Sequence, residues 1–198
     1  MIGLRSCIFA ATMTVTMAGA ALANSEGPIP GFTGAPGMKG AEPEMTCQSC
    51  HIDYALNPDR LGRVELQGVP PVYQPGKSYT ITLQLKHPTA KRWGFQLTAL
   101  STPNYTAAGD FAALDKTTQK KTAAGRQYIE HGSMGGKATG MGKTGSYAWT
   151  FTWTAPKTNV GNVAFFAAAN MANGNGDLTG DRVYASAKPL FTSRAGAK

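Results

Sequence analysis

The chain has 198 residues, of which 42% are hydrophobic, 15% charged and 9% aromatic, with 24 glycines and 12 prolines. That composition excludes a long disordered tail, a collagen-like repeat and a helical bundle, which would be poorer in Gly and Pro and richer in charge. Nineteen Lys and Arg against eleven Asp and Glu leave +8, a balance that suits solubility and attraction to acidic partners but lacks the clustered charge of a nucleic-acid binder.

Residues 1–23 read as an export signal. Arg5 supplies the positive start, Cys7 to Leu22 form an apolar and small-residue stretch, and Ala21-Leu22-Ala23 is the small-x-small pattern of signal peptidase, predicting cleavage before Asn24. Thr, Gly and Ala dilute the stretch, whereas a membrane span needs ~20 strongly apolar residues. Cleavage removes Arg5, lowering the charge from +8 to +7, and removes Cys7, leaving only Cys47 and Cys50. Beyond the signal, residues 24–63 form an arm rich in Gly and Pro, and residues 64–198 a second zone with a strand-like pattern.

The arm contains Cys47-Gln48-Ser49-Cys50-His51. An exported protein meets an oxidising compartment, yet a disulfide between cysteines so close together restrains little of the unfolded chain. The spacing is instead the C-x-x-C-H attachment signal for c-type haem. Two thiols on one turn reach the two porphyrin vinyl groups, and the adjacent imidazole is placed as proximal ligand. A thioredoxin-like dithiol requires a helix after the first Cys within a βαβ pattern, which is missing. A zinc site requires four ligands in a tetrahedron, which adjacent Cys50 and His51 supply poorly. An accidental or purely structural pair stays open.

From residue 64 onward the pattern has period two. Tyr79, Ile81, Leu83 and Leu85 alternate with polar residues, as do Trp93, Phe95, Leu97 and Ala99, and then Tyr147, Trp149, Phe151 and Trp153. These predict half-buried strands. Val163 to Ala169 is a nearly continuous apolar run, expected as a central strand, and Arg182 to Leu190 is expected as the last one. Turn clusters at Gln74-Pro75-Gly76-Lys77, Thr102-Pro103-Asn104, Thr154-Ala155-Pro156-Lys157 and Asn173-Gly174-Asn175-Gly176-Asp177 separate them. The expected fold is an all-β, Ig-like antiparallel β-sandwich of about seven strands with an irregular N-terminal arm.

Several motifs in order carry a family resemblance: Gly31-Phe32-Thr33-Gly34-Ala35-Pro36-Gly37 before the C-x-x-C-H, then Tyr73-Gln74-Pro75-Gly76-Lys77, Trp93-Gly94-Phe95-Gln96-Leu97, Trp153-Thr154-Ala155-Pro156, and Ala169 to Asp177 with Gly180-Asp181. Together they resemble the bacterial Reeler-like family of choice-of-anchor V domains across nearly the whole chain after the signal. The resemblance implies an exported β-sandwich whose arm bears the C-x-x-C-H. Ser193 to Lys198 carries no hydrophobic tail or sorting signal, which leads to the expectation of a free, soluble protein, periplasmic or secreted.

Gly140-Met141-Gly142-Lys143-Thr144 is not a phosphate loop, because Lys137 stands where the first Gly belongs. It is expected within a glycine-rich hairpin loop, 132–145. Asn104-Tyr105-Thr106 is a glycosylation acceptor only in a suitable host. Lys91, Arg92, Lys116, Lys120, Lys121 and Arg126 are a candidate docking face for an acidic redox partner, with solvated surface as the plainer reading.

No catalytic triad or carboxylate pair stands out, so the expectation is a non-enzymatic, exported monohaem c-type cytochrome acting in electron transfer. A non-catalytic binding or matrix module with a structural C-x-x-C-H, and a haem sensor with an open distal position, are the alternatives. His51 is the expected proximal ligand. His131, at the start of the glycine-rich loop, is the expected distal one, with Met134, Met141, Met45, Met38 and His87 as rivals. His87, just before Pro88, is expected in a surface turn. Asn173, Asn175, Asp177 and Asp181 place oxygens at the spacing of a calcium loop, although the first Asp and last Glu of the full motif are missing. The other reading of that loop is a turn in which Asn and Asp bond their own backbone.

Overall fold

Alternating apolar residues pair β3 (Ser78–His87) with β10 (Gly145–Thr154) along ten residues each. In this computed structural model, residues 25–102, 104–185 and 188–196 are described, and the expected signal segment lies outside them. The remaining strands are β1 (Arg63–Gln67), β2 (Val72–Tyr73), β4 (Arg92–Ser101), β5 (Asp110–Ala113), β6 (Thr118–Ala123), β7 (Arg126–His131), β8 (Ser133–Met134), β9 (Lys137–Ala138), β11 (Val163–Ala172), β12 (Arg182–Ala185) and β13 (Phe191–Ala195). One sheet runs β1-β3-β10-β5. The other runs β2-β13-β11-β4-β7-β6, with β12 also on β11, and β8 and β9 form a separate hairpin. The architecture is the expected all-β sandwich.

Between the sheets, Ile81, Leu83, Leu85, Trp149, Phe151 and Trp153 meet Trp93, Phe95, Leu97, Ile129, Phe165 and Ala169. Ring centroids lie 4.7 Å apart for Phe95 and Trp149 and 5.0 Å apart for Trp153 and Phe165, so aromatic contacts cross the interface. Each such side chain contributes about 1.5–3 kcal/mol by leaving water.

The larger sheet is also covered on its outer face. There Gln96, Thr98, Leu100, Ala164 and Phe166 are buried, which explains why β4 and β11 are buried almost throughout. The cover is the arm. Thr33 bridges Thr46, the Gly34 amide donates to the Met45 carbonyl at 2.8 Å, and the Glu44 amide donates to Ala35 at 2.9 Å. Ala35 packs with Leu100, Ala164 and Phe166. The amides of Gly31 and Phe32 donate to Gln96 Oε1 at 3.0 and 2.8 Å.

Three local expectations are corrected. The strand expected over Arg182–Leu190 ends at Ala185 as β12, and β13 begins only at Phe191, with Pro189, which has no amide to donate, between them. The strand number is larger than seven because β5, β6 and β7 lack a clean alternation and β1, Arg63–Gln67, alternates over only five residues; β6, Thr118-Gln119-Lys120-Lys121-Thr122-Ala123, is a polar edge strand whose lysines discourage further pairing. His87 is buried, not on a surface turn, because the Tyr184 ring packs beside it at 6.1 Å.

Candidate functional site

The C-x-x-C-H segment folds as a single tight turn. Thr46 caps a 3-10 turn over Cys47–Ser49 by accepting from the Gln48 amide at 3.3 Å. The amides of Cys50 and His51 both donate to the Cys47 carbonyl, at 3.2 and 3.1 Å. This turn brings Cys47, Cys50 and His51 to the wall of a cleft of about 260 Å³ between arm, sheet and the 174–178 loop. Ile29 and Phe32 from the arm and Trp93 and Phe95 from β4 give that cleft apolar walls, and His131 from the end of β7 lines it as well.

His51 is held from two sides. Its Nδ1 lies 2.8 Å from Asp181 Oδ2, and the Asn170 amide nitrogen lies 3.3 Å from Nδ1 and 3.2 Å from Nε2. The same amide donates to Asp181 Oδ2 at 3.1 Å. The other Asp181 oxygen accepts the Asn173 amide at 3.1 Å, and Asp53 accepts the Gly180 amide at 2.7 Å.

His131 is buried, with Nδ1 at 3.2 Å from the Phe95 amide and 3.3 Å from the Phe95 carbonyl. The ring occupies space left by Gly94: a Cβ there would lie 3.1 Å from Cε1 and 3.4 Å from Nδ1. A strand glycine marks the close approach of another group.

Cys47 and Cys50 are free thiols. Desolvation, with smaller contributions from Cys50 and Glu130 and against its own backbone hydrogen bond, pushes the Cys47 thiol up to about 12. A thiol so raised is protonated at neutral pH and a poor nucleophile, the opposite of a redox-active dithiol.

The other candidate residues lie elsewhere. Met134 and Met141 border a separate hollow with Tyr147. Met38 and Met45 are exposed on the arm, and none of the four methionines lines the cleft. His87 does not line it either; its Nδ1 meets the Thr89 amide and hydroxyl at 3.3 and 3.2 Å, and its Nε2 is 3.7 Å from Asp59. In the 173–181 loop, Asn173 Oδ1 accepts the Asn175 amide at 2.8 Å and Asn175 Oδ1 accepts the Asp177 amide at 2.9 Å. These are Asx turns of the kind glycines at positive φ support, here Gly174 and Gly176.

The expected basic face is also redrawn. Arg126 is buried, with Nη1 2.6 Å from Glu44 and Nη2 donating to the carbonyls of Pro36 and Tyr105 at 2.7 and 2.9 Å. It therefore anchors the arm and presents no charge to a partner. Lys121 pairs with buried Glu130 at 2.7 Å and Lys120 with Asp110 at 3.0 Å, while Arg92 lines the cleft and bonds Ser25. Lys91 and Lys116 are exposed. Sequence reasoning missed Gly94, Asn170, Gln96 and Glu44, and connected Asp181 to a cation instead of to His51. A glycine inside the alternating Trp93–Ala99 strand was the one local signal.

A family profile described as the Reeler domain matches residues 46–173. No curated protein matches the sequence. Among solved structures, the chain is similar to the reelin-N domain of F-spondin, with 20% identity over 76% of this chain and 96% of that one and a TM-score of 0.49. It is also similar to the human F-spondin reeler domain, with 22% identity, 70% and 90% coverage and a TM-score of 0.48. A cohesin module from a Clostridium perfringens family 33 glycoside hydrolase gives 11% identity, 71% and 100% coverage and a TM-score of 0.44. The expected classification as cytochrome c, an electron-transfer and metal-binding protein, is corrected by these findings. The matching profile is the Reeler domain, and among the described residues no group of three or more His, Cys, Asp or Glu is placed to hold a metal ion.

Proposed function

The chain belongs to the Reeler domain family, and on that premise we propose that it is an exported, non-catalytic binding module whose binding site is the cleft between arm and sheet. The observation that carries this reading is the convergence of the C-x-x-C-H turn and His131, far apart in sequence, on one apolar-walled cleft. A concave, mostly apolar site with a few converging polar groups is the usual form of a small-molecule site.

The donor set favours one occupant, a covalently attached haem c. Two reduced thiols stand on one turn, an imidazole follows directly, and a second imidazole lines the same cleft. Cys47 and Cys50 would form the thioethers, with His51 as proximal and His131 as distal ligand. Gly94 leaves the room that the His131 ring occupies. Bound there, the group would supply a redox-active centre. The chain's own work is to hold the ring, to exclude water with Phe32, Trp93 and Phe95, and to orient His51.

The deciding experiment is expression of the full chain in a bacterial host with the c-type maturation factors, followed by intact mass and absorption spectra. The expected mass is that of the processed polypeptide plus one haem, lost in a Cys47→Ser/Cys50→Ser variant. A polypeptide mass alone would overturn the haem and leave a module with a structural C-x-x-C-H. A mass that retains residues 1–23 would overturn signal processing.

A further inference from the structure

We propose that Asp181, itself held by Asn170, is a positioning residue that holds His51 as the Nδ1–H tautomer, leaving the Nε2 lone pair as the donor atom of the cleft. The inference rests on reading the cleft as the binding site and His51 as its ligand donor.

The hydrogens around His51 set its tautomer. Asp181 is buried, and as a carboxylate it only accepts; its Oδ2 is 2.8 Å from His51 Nδ1. Nδ1 therefore carries a hydrogen. The Asn170 amide has two hydrogens. One goes to Asp181 Oδ2 at 3.1 Å, and the nitrogen stands almost equally far from both ring nitrogens, 3.3 Å from Nδ1 and 3.2 Å from Nε2, so it faces the ring without choosing between them. The amide is not reversed, because the Asn170 oxygen would then stand 3.1 Å from the Asp181 oxygen, acceptor against acceptor. The neutral ring then has its hydrogen on Nδ1, toward Asp181, and its lone pair on Nε2. The orientation leaves Asn170 Oδ1 buried and without a hydrogen-bond partner, so the amide is held in place through its nitrogen.

Both anchors are fixed by the sheet. Asn170 lies in β11 between Gly94 of β4 and Val183 of β12, and Asp181 directly precedes β12 while its second oxygen closes the 173–181 loop onto the Asn173 amide. A carboxylate on the far nitrogen of a ligating histidine sets the tautomer and ring orientation and strengthens the donor.

The test is the nitrogen NMR spectrum of the His51 ring in the full processed chain carrying Cys47→Ser/Cys50→Ser, at mildly alkaline pH where an unperturbed imidazole is neutral. The expected species is Nδ1–H, and a predominantly Nε2–H ring would overturn the proposal. Asp181→Ala is expected to lower the ratio of Nδ1–H to Nε2–H by about tenfold or more, whereas Asp181→Asn, which keeps an acceptor, retains most of it. An unchanged ratio in the Ala variant would overturn the proposal as well. Should Asp181→Ala fail to fold, Asp181→Ser, whose shorter side chain withdraws the acceptor from Nδ1, reports the same shift. Haem attachment is read separately by mass in the chain with both cysteines: its absence refutes the haem reading and leaves the tautomer result standing.

Discussion

The two faces of the larger sheet are buried to a similar degree by opposite chemistry. The inner face presents Trp93, Phe95, Leu97 and Phe165 to the other sheet and is held by area and packing. The outer face packs Leu100, Ala164 and Phe166 on Ala35 of the arm, and beside that small apolar patch it presents Gln96, Tyr128 and Glu130 in directed polar contacts: Arg126 and Tyr128 both reach Glu44 Oε1 at 2.6 Å, and Gln96 reaches Glu130 at 2.8 Å. The difference teaches where precision lies. An apolar interface tolerates small shifts, whereas a buried ion pair either meets its partner or leaves a charge stranded. The polar face is the one that fixes the arm, and with it the Cys47–His51 turn.

The sharpest contrast comes from removing one group on each face. Phe151→Ala, in a fully buried site against Phe95 and Phe111, is expected to cost about 3–5 kcal/mol through the cavity left behind. Urea denaturation should show it as a lower midpoint of one cooperative transition, with the arm still protected from protease below that midpoint. Arg126→Ala is expected to cost about 3 kcal/mol, because Glu44 stays buried without its cation. Here protease should cut within residues 25–62 before the sandwich unfolds. A loss below about 1 kcal/mol with an intact arm would break the comparison.

A smaller effect sharpens it at the cleft. Gly94→Ala brings a methyl to 3.1 Å from the His131 ring, at a cost of about 1 kcal/mol as the ring gives way. The His131 ring resonances should move while those of Trp153 stay in place; unmoved His131 signals would show that Gly94 does not set that ring's position.

The smallest effect concerns acid. Burial acts to raise the Asp59 pKa, but hydrogen bonds from Tyr184 and from the Leu61 and Gly62 amides, with the nearby His87, outweigh it and lower the value. A lowered folded pKa contributes stability that is full above the ordinary aspartate pKa and is lost as pH falls through the folded one. Asp59→Asn should therefore flatten the acid limb of the stability profile by less than about 1 kcal/mol, with little change in its shape near neutrality. An acid limb identical to that of the parent chain would rule this contribution out.

Much of the inner face was legible in the chain. Ile81, Leu83 and Leu85, or Trp149, Phe151 and Trp153, alternate with polar neighbours because a pleated strand turns successive side chains to opposite faces. The run from Val163 to Ala169 broke that alternation for a reason the structure supplies, since the arm buries its second face. The outer face was nearly silent: Glu44, Arg126 and Tyr128 look like ordinary surface residues until the arm folds over the sheet. His87 misled in the same way, since a position before Pro88 reads as a turn while Tyr184, distant in sequence, buries it.

The sequence by itself determined the local features: which strands alternate, and that two thiols and an imidazole share one turn at Cys47 to His51. These depend on neighbours a few residues apart, whose geometry the backbone dictates. Only the tertiary structure decided that His131 lines the same cleft, that Asp181 and Asn170 hold His51, and that Arg126 is an anchor instead of a surface charge. Those outcomes depend on which distant groups meet once water is excluded. Directed hydrogen bonds and ion pairs leave no periodic trace along the chain, whereas apolar burial does.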